Sequence, residues 1–262
     1  MSKYTTLKYV EKDQIATIYF ARPEVHNALN NIMIEELISI FNEIETNATI
    51  RIVILRGEGK SFCSGADLSW MEKSFALTPE ENLKECETLA QLFSTIYSSS
   101  KVVIAAIHGN AYGGAIGIIA TCDLAYCVSD SRFVLSEAKL GVVAATITPY
   151  LLLKINHSQL KELIFTANLF NGSDAMNLNL VNKSFDSADK LDLELGKITT
   201  QILQNGTQAI IESKKVLNKL VMNNISPFKD SLPQLLARTR VSLEAREGFS
   251  AFLEKRKPNW NK

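Results

Sequence analysis

The chain has 262 residues, enough for one large domain or for a domain with an appendage, and a core of this size needs no disulfide or metal support. Its 28 lysine and arginine residues balance 28 aspartate and glutamate residues, so no overall charge attracts nucleic acid or an anionic membrane. The four cysteines lack metal-ligand spacing, and we expect them to be reduced and mostly buried. With no apolar signal segment and no apolar run of membrane-spanning length, we expect a cytoplasmic protein without membrane contact.

The first half of the chain alternates between strand and helix patterns. Residues 14–21 alternate polar side chains with β-branched or aromatic ones, which predicts a half-buried strand. Residues 50–55 and 101–107 are apolar enough for strands buried on both faces. Two short strands are expected at 124–127 and 132–135. The pattern therefore predicts an α/β fold.

Two long helices are expected between these strands. The first begins at Asn30 or Asn31, either of which can cap it, and its apolar residues keep the three-and-four spacing of one buried face. The second follows Thr78 and Pro79, a typical cap and first-turn pair. We expect five of its residues to face the core: Leu83, Cys86, Ala90, Phe93 and Tyr97.

From residue 145 onward the pattern is helical almost throughout, with helices expected at 145–155, 158–166, 173–178, 187–203, 207–222 and 228–255. No low-complexity linker separates the two halves of the chain. We therefore expect residues 1–200 to form a core that contains the functional site. Residues 201–262 are expected to form a helical region that covers the site and takes part in subunit association.

The strongest functional signal is a glycine-rich turn after the buried strand at 101–107. Residues 108–117 have the sequence HGNAYGGAIG and lie where a strand turns into a helix. Backbone N–H groups of glycine can approach a ligand closely, and the positive end of the helix dipole assists them. Such amides stabilise negative charge that develops on an oxygen. Glu137 follows after a further strand, where partial burial is expected to raise its pKa toward a value useful for general acid–base chemistry.

A second loop of small residues follows the buried strand at 50–55. Residues 61–71 have the sequence SFCSGADLSWM, and a glycine turn followed by an aspartate cap is by itself an ordinary structural feature. However, the glycine turn at 108–117 also follows a buried strand. We therefore expect the two loops to lie at the same edge of the predicted sheet.

Four segments in order resemble the enoyl-CoA hydratase/isomerase (crotonase) family: RPEVHNALN at 22–30, FCSGADL at 62–68, GNAYGG at 109–114 and EGFSAFLEKRKP at 247–258. The resemblance extends from about residue 10 to the C-terminus. It implies a crotonase-like spiral of ββα turns with a helical C-terminal region. It also implies trimers that often pair into hexamers, an acyl-CoA substrate, and no metal or redox cofactor.

The resemblance also implies roles for particular residues. The two amides that hold the thioester oxygen match Ala66 and Gly114, the latter directly after Gly113, and the proton-transfer carboxylate matches Glu137. Contacts to the adenine and pantetheine parts of coenzyme A match Val25, Ala28, Ser64, Gly65, Ala66, Asp67 and Leu68. Lys255 matches a lysine that approaches the CoA phosphates. Trp70 and Tyr112 are candidates for the acyl pocket.

One position departs from the two-carboxylate hydratases of this family. Their first glutamate precedes the second by about 20 residues, and this chain has Gly117 in that place. A shift of a double bond needs a single base, whereas hydration usually divides the work between two acids, so the departure by itself favours an isomerase. Segments 64–71, 114–117, 135–141 and 147–150 instead look like a bacterial branch of methylglutaconyl-CoA and related hydratases, which tends to have glycine there too.

Three functions remain open from the sequence. The leading prediction is an enoyl-CoA hydratase that uses Glu137, and the alternative is an enoyl-CoA isomerase that uses the same residue. A more distant alternative is a non-catalytic or RNA-binding relative. Clustered positive charge with stacking aromatic residues would favour RNA, but this chain has only two short basic clusters, at 214–215 and 255–257.

Overall fold

The computed structural model describes residues 3–74, 76–222, 243, 247, 251, 254–257 and 259. The chain divides into two compact units, residues 1–193 and residues 194–262. The strands are β1 (Leu7–Lys12), β2 (Ile15–Phe20), β3 (Ile52–Gly57), β4 (Ser61–Cys63), β5 (Val102–Ile107), β6 (Asn110–Tyr112), β7 (Leu124–Val128), β8 (Arg132–Val134), β9 (Phe170–Asn171) and β10 (Lys183–Phe185).

The α-helices are α1 (Asn31–Thr46), α2 (Leu68–Ser74), α3 (Pro79–Ser98), α4 (Gly114–Thr121), α5 (Thr148–Leu152), α6 (His157–Thr166), α7 (Gly172–Asn177), α8 (Ala188–Gln204) and α9 (Thr207–Met222). The α/β class predicted from the sequence is confirmed. The helix expected at 228–255 falls almost entirely outside the described residues. None of the described helices is long and apolar enough to cross a membrane.

Two sheets make up the β structure of the first unit. The larger has the order β1-β2-β3-β5-β7-β10 and is parallel except for the β1–β2 pair, and the smaller has the order β4-β6-β8-β9. The strands β3, β5 and β7 lie side by side in the larger sheet, and each is followed in the chain by a strand of the smaller sheet. Because β4, β6 and β8 also lie side by side and parallel, the chain repeats one strand–strand unit three times.

Apolar side chains from both sheets and from the helices form one core within the first unit. Phe20, Phe62 and Phe133 are fully buried, and the rings of Phe20 and Phe62 meet edge to face with centroids 5.1 Å apart. Burial of such a side chain contributes roughly 1.5 to 3 kcal/mol to folding. The sequence predicted the long buried strands correctly, but it did not reveal β1, β4, β6, β9 and β10, which are short or strongly polar.

Two expectations about α3 are wrong. Leu83 is 60% exposed and Cys86 is exposed, whereas Leu92, Phe93 and Ile96 are fully buried. The other three cysteines are buried, as expected. The buried face of α3 begins about three turns after the helix starts, because a groove lined by Ile34 of α1 and by Glu81 and Lys84 of α3 lies between α1 and the first turns of α3. Helical periodicity identifies a face but does not show how far along the helix the packing extends.

The start of α1 offers a test of how this fold is stabilised. The side chain of Asn30 accepts a hydrogen bond from the Met33 amide at 2.9 Å and caps the helix. Replacement of Asn30 by alanine leaves that amide without its partner and should lower the free energy of unfolding by about 1 kcal/mol in urea titrations. Asn168→Ala, on an exposed turn, is the control and should stay within about 0.5 kcal/mol of the parent. Equal effects of the two changes would contradict the role of the cap.

Candidate active site

The two loops that follow β4 and β6 lie directly against each other. Gly65 has φ +87°, and a Cβ built there would lie 2.8 Å from the carbonyl oxygen of Tyr112. Gly113 has φ +51° and precedes the first residue of α4. Both conformations belong to the region that favours glycine. The structure therefore brings together the two small-residue loops that the sequence placed at one edge of the sheet.

The N–H of Ala66 points away from Leu29, the residue with which Ala66 pairs. Ala66 forms an isolated parallel bridge with Leu29, in which the Leu29 amide donates to the Gly65 carbonyl at 2.7 Å and the Asp67 amide donates to the Leu29 carbonyl at 2.8 Å. In a parallel bridge the middle residue directs its own N–H to the opposite side. Since Ala66 is exposed, its N–H is available to an oxygen outside the loop.

The amide of Gly114 lies at the start of α4. First-turn N–H groups have no acceptor within their own helix, and they carry the positive end of the helix dipole. The preceding Gly113 is held by its amide, which donates to the Val134 carbonyl at 2.9 Å. Among the described residues, the side-chain atom nearest to the position of a Gly114 Cβ is Leu29 Cδ1, at 3.3 Å. Gly114 is therefore held next to the loop that contains Ala66.

The carboxyl group of Glu137 lies beside the same turn. A Cβ built at Gly113 would be 3.4 Å from Glu137 Oε1. Oε2 is buried and has no hydrogen-bond partner among the described residues. Burial raises the pKa of Glu137, and a hydrogen bond from its own backbone amide opposes this only in part. A buried carboxyl with a raised pKa and a free oxygen is equipped to accept and return a proton.

An ion pair between Arg22 and Asp67 holds the loop that contains Ala66 in place. Arg22 Nη2 lies 2.8 Å from Asp67 Oδ2, and the two side chains are only 15% and 12% exposed. Asp67 Oδ1 also accepts a hydrogen bond from the Ser69 amide at 2.9 Å and so caps the first turn of α2. Burial acts to raise the pKa of Asp67, but the hydrogen bonds from Arg22 and Ser69 outweigh it and hold the pKa below its usual value.

Asn27 has a supporting role that sequence reasoning missed. It is fully buried, its side-chain oxygen accepts from the Arg22 amide at 2.9 Å, and its Nδ2 donates to the carbonyls of Glu58 and Ser61, both at 2.8 Å. Its φ of +58° is of a kind that asparagine tolerates better than most residues. An asparagine within the RPEVHNALN segment was the available signal, but Glu58 and Ser61, whose carbonyls its Nδ2 binds, are more than 30 residues away in the chain.

The residues expected to contact coenzyme A form a continuous strip beside the two amides. The Ser64 amide donates to the His26 carbonyl at 3.0 Å, and Ser64 Oγ donates to the Val25 carbonyl at 3.3 Å. Val25 is 37% exposed and Leu68 is 77% exposed, while Ala28 is buried and accepts a hydrogen bond from Arg22. The strip therefore has exposed apolar side chains, and hydrogen bonds hold its backbone in place.

The two acyl-pocket candidates lie in different surroundings. Tyr112 is partly buried at the end of β6, next to Gly113. Trp70 packs on the core and borders a groove of about 250 Å³ between α1 and α3, where Glu35, Glu81 and Lys84 supply charged groups. Its indole N–H is buried without an acceptor among the described residues. Lys255 lies in the second unit, where it is exposed.

Apolar side chains fill the space around Gly117, where the resemblance would place a first glutamate. A Cβ built at Gly117 would overlap Ile147 Cγ2 and would lie 2.9 Å from the ring of Phe93. Ile147 is 2% exposed and Phe93 is fully buried. A second carboxylate has no room at this position unless the core rearranges. Glu137 is thus the carboxyl group that the described structure brings to the two amides.

The two amides and the carboxyl of Glu137 together indicate which reactions the site is suited to. The Ala66 and Gly114 amides lie on adjacent loops, and the removal of one donor to an oxyanion typically slows a reaction by a factor of about 10² to 10³. A carboxyl of raised pKa beside them can transfer a proton to or from a carbon next to a carbonyl that such amides hold. The arrangement is therefore suited to proton transfer next to a carbonyl group.

Comparison with known proteins agrees with this chemistry. The model of the family described as enoyl-CoA hydratase/isomerase matches residues 10–262. A putative enoyl-CoA hydratase from Thermus thermophilus is 30% identical over 251 residues, which cover 96% of this chain and 99% of that protein. A peroxisomal Δ(3,5)-Δ(2,4)-dienoyl-CoA isomerase from Arabidopsis thaliana is 30% identical over 275 residues, which cover 100% and 99% of the two chains.

A solved structure supports the same assignment. The crystal structure of an enoyl-CoA hydratase from Shewanella pealeana superposes with a TM-score of 0.94 at 32% identity, and the match covers 98% of this chain and 97% of that one. The chain belongs to the enoyl-CoA hydratase/isomerase family. The predicted family, the crotonase-like fold and the assignment as an enzyme of the hydratase/isomerase class are therefore confirmed.

The packing around Gly117 leads to a prediction with a matched control. Gly117→Ala should destabilise the protein by roughly 1 to 3 kcal/mol, because the added methyl group overlaps Ile147 in a close-packed core. Gly196→Ala, in α8, places its methyl group in open space, and alanine favours helix more than glycine does. That variant should gain stability of up to about 1 kcal/mol. Urea unfolding of both proteins checks the prediction, which fails if Gly117→Ala is as stable as the parent.

Proposed function

We propose that this protein is an enoyl-CoA hydratase that adds water across the 2,3 double bond of an acyl-CoA thioester. The observation that carries the proposal is the buried Oε2 of Glu137, which has no hydrogen-bond partner among the described residues, in a carboxyl beside the turn that leads to the Gly114 amide. Coenzyme A is part of the substrate, and the reaction uses no metal or redox cofactor. Val25, Ala28 and residues 64–68 are proposed to bind coenzyme A, and Lys255 to approach its phosphates.

In the proposed reaction one carboxyl group carries out both proton-transfer steps. Glu137 accepts a proton from water while the water oxygen bonds to C3, and the electron pair of the double bond moves toward the thioester oxygen. The Ala66 and Gly114 amides hold the resulting negative oxygen. Glu137 then returns its proton to C2, so the net change is the addition of one water. Burial of Glu137 supports this cycle, because a raised pKa makes the protonated form accessible.

A specific observation favours a second candidate, an enoyl-CoA isomerase. The space at Gly117 is occupied by Ile147 and Phe93, so a second acid to orient water is missing from that position. Isomerisation needs only Glu137, which would take a proton from C2 and return it at C4 as the double bond moves. Relatives named as dienoyl-CoA isomerases are as similar in sequence as those named hydratases.

Finer details of the proposal rest on the resemblance of short segments. We propose a branched substrate of the methylglutaconyl type, with the carboxylate of the substrate helping to hold the water that a second acid would otherwise orient. Trp70 and Tyr112 are proposed to line the acyl pocket. A trimer or hexamer in the cytoplasm is proposed on the same basis.

Product analysis distinguishes the two reactions. The purified protein is incubated with methylglutaconyl-CoA, crotonyl-CoA and a 3-enoyl-CoA, and the products are identified by mass spectrometry and by the position of the double bond. A mass gain of one water establishes hydration and identifies the preferred acyl group. A shifted double bond without a mass gain would make the protein an isomerase and overturn the hydratase proposal.

Glu137→Gln removes the proposed proton carrier and keeps the size of the side chain. Turnover should fall by a factor of roughly 10² to 10⁴. At neutral pH the variant should also unfold at a slightly higher temperature, because it no longer buries a carboxylate whose charged form is unfavourable. Glu72→Gln, at an exposed glutamate of α2, is the control and should leave both properties unchanged. Undiminished turnover in Glu137→Gln would refute the assigned role.

The raised pKa of Glu137 also predicts a pH dependence. The carboxylate form must accept the first proton, so turnover should fall as the pH drops through the pKa of Glu137. The midpoint of this acid limb should lie above about 4.3, the ordinary value for glutamate. The contribution of Glu137 to the free energy of unfolding should change in the opposite direction. Because its pKa is raised, this contribution is present at low pH and is lost as the pH rises. Rate profiles and thermal unfolding between pH 4 and 8 provide the two measurements.

A further inference from the structure

We propose that His108 is a positioning residue. Its ring joins the two backbone connections that lead to the Ala66 and Gly114 amides, and it thereby sets the distance between those amides. The inference rests on the proposed function of the two amides. It concerns a residue that lies outside the substrate site and that the proposed reaction does not use.

His108 is located where two neighbouring strands leave one sheet for the other. In the larger sheet the last pair between β3 and β5 is Leu55 with Ala105, and in the smaller sheet the first pair between β4 and β6 is Ser61 with Asn110. The connections between these pairs, residues 56–60 and 106–109, lie outside these two ladders, although residues 56–57 pair with β2 and residues 106–107 pair with β7 on their other sides. The His108 ring bridges them, with Nε2 3.0 Å from the Gly59 carbonyl oxygen.

The connection that contains Gly59 is held from two sides. Asn27 Nδ2 donates to the carbonyls of Glu58 and Ser61, and His108 binds the Gly59 carbonyl between them. The other connection is equally close, because a Cβ built at Gly109 would overlap the Lys60 carbonyl oxygen. The segment that contains Asn27 and the connections 56–60 and 106–109 thus meet at this junction between the two sheets.

The hydrogen bond fixes which ring nitrogen carries the proton in the neutral ring. A carbonyl oxygen only accepts, so Nε2 carries the proton, and Nδ1 is buried without a partner among the described residues. Burial lowers the pKa of His108, and the neighbouring Arg56 lowers it further, while the bond to Gly59 and the charge of Asp192 act in the opposite direction. Arg56 and Asp192 are themselves paired at 2.7 Å. The ring is therefore neutral at physiological pH and acts as a fixed donor.

Only a few residues of chain separate the hydrogen bond between His108 and Gly59 from each of the two amides. From Gly59 the chain passes through β4 and reaches Ala66 after seven residues, and from His108 it passes through β6 and reaches Gly114 after six. The β4–β6 ladder has only two pairs, Ser61 with Asn110 and Cys63 with Ala111, with a register shift between them. Such a short, irregular ladder constrains the spacing weakly, so the bond at its base has a direct effect on how the amides converge.

The test compares variants that keep or remove the donor. His108→Gln places an amide N–H near the position of Nε2, whereas His108→Leu fills similar space without a donor. The leucine variant should lose turnover by roughly tenfold or more, as expected when catalytic groups are displaced by a fraction of an ångström. The glutamine variant should retain most of the activity. His157→Leu, at an exposed histidine at the start of α6, is the control and should behave like the parent.

Two further readouts separate positioning from a general loss of structure. The dissociation constant of free coenzyme A should be unchanged in His108→Leu, because the residues proposed to bind it are held by Arg22, Asp67 and Asn27. The carbonyl stretch of bound ¹³C-labelled butyryl-CoA should move back toward its solution frequency, because misplaced amides polarise the carbonyl less. Butyryl-CoA has no double bond to hydrate, so this readout does not depend on turnover. The measurement is made at a temperature where each variant is folded.

The outcomes separate this inference from the proposed function. If the unmodified protein turns over none of the enoyl-CoA substrates, the proposed function fails, and the carbonyl stretch still decides the role of His108. Parent-like turnover and carbonyl stretch in His108→Leu would overturn the inference, and so would an equal loss in the leucine and glutamine variants. If the leucine variant does not fold, His108→Asn replaces it, because its side chain is one methylene shorter than glutamine and does not reach Gly59.

Discussion

The close contact between the loop at Gly65 and the turn at Tyr112 and Gly113 is the constraint on which the rest of the site depends. A side chain at residue 65 would meet the Tyr112 carbonyl, and a side chain at 113 would approach the carboxyl of Glu137. At residue 65 the two backbones can lie this close because glycine has no Cβ, and at residue 113 the φ of +51° favours glycine. The repeated strand–strand unit makes the contact possible, because it delivers β4 and β6 side by side and in the same direction.

The contact is maintained by polar groups that do not take part in the proposed chemistry. Arg22 and Asp67 form a largely buried pair, and a pair of this kind is costly to break because removal of one partner leaves an uncompensated charge. Asn27 uses both ends of its amide to join the Arg22 amide, in its own segment, to the carbonyls of Glu58 and Ser61. The amides of Ala66 and Gly114 are thus held by interactions that exist before any ligand binds. Such preorganisation is what makes a pair of backbone donors effective, because no reorganisation is needed as charge develops.

The surroundings of Gly117 and Glu137 give the site an asymmetric character. On the side of Gly117 the core is apolar and closely packed, with Ile147 and Phe93 in van der Waals contact with the helix α4. Near Gly113, the partly buried carboxyl of Glu137 has one buried oxygen that lacks a hydrogen-bond partner in the described part of the chain. A site with a single titratable group on one face suits reactions in which the same carboxyl removes and returns a proton. Hydration and isomerisation both satisfy this condition, and they differ in whether water or a second carbon of the substrate exchanges the proton.

The sequence by itself determined the class of the fold, its long buried strands and the first turn of each long helix. It also determined the family, through four short segments in the right order, because glycine turns and caps are local features that a few residues encode. Only the tertiary structure decided that Asn27 binds Glu58, that Arg22 pairs with Asp67 and that His108 binds Gly59, since these pairs are 31, 45 and 49 residues apart along the chain. It also decided that α3 leaves Leu83 and Cys86 in solvent and that Ile147 fills the space beside Gly117. Periodicity specifies which face of an element is apolar, but the elements that cover that face are set by packing between distant segments.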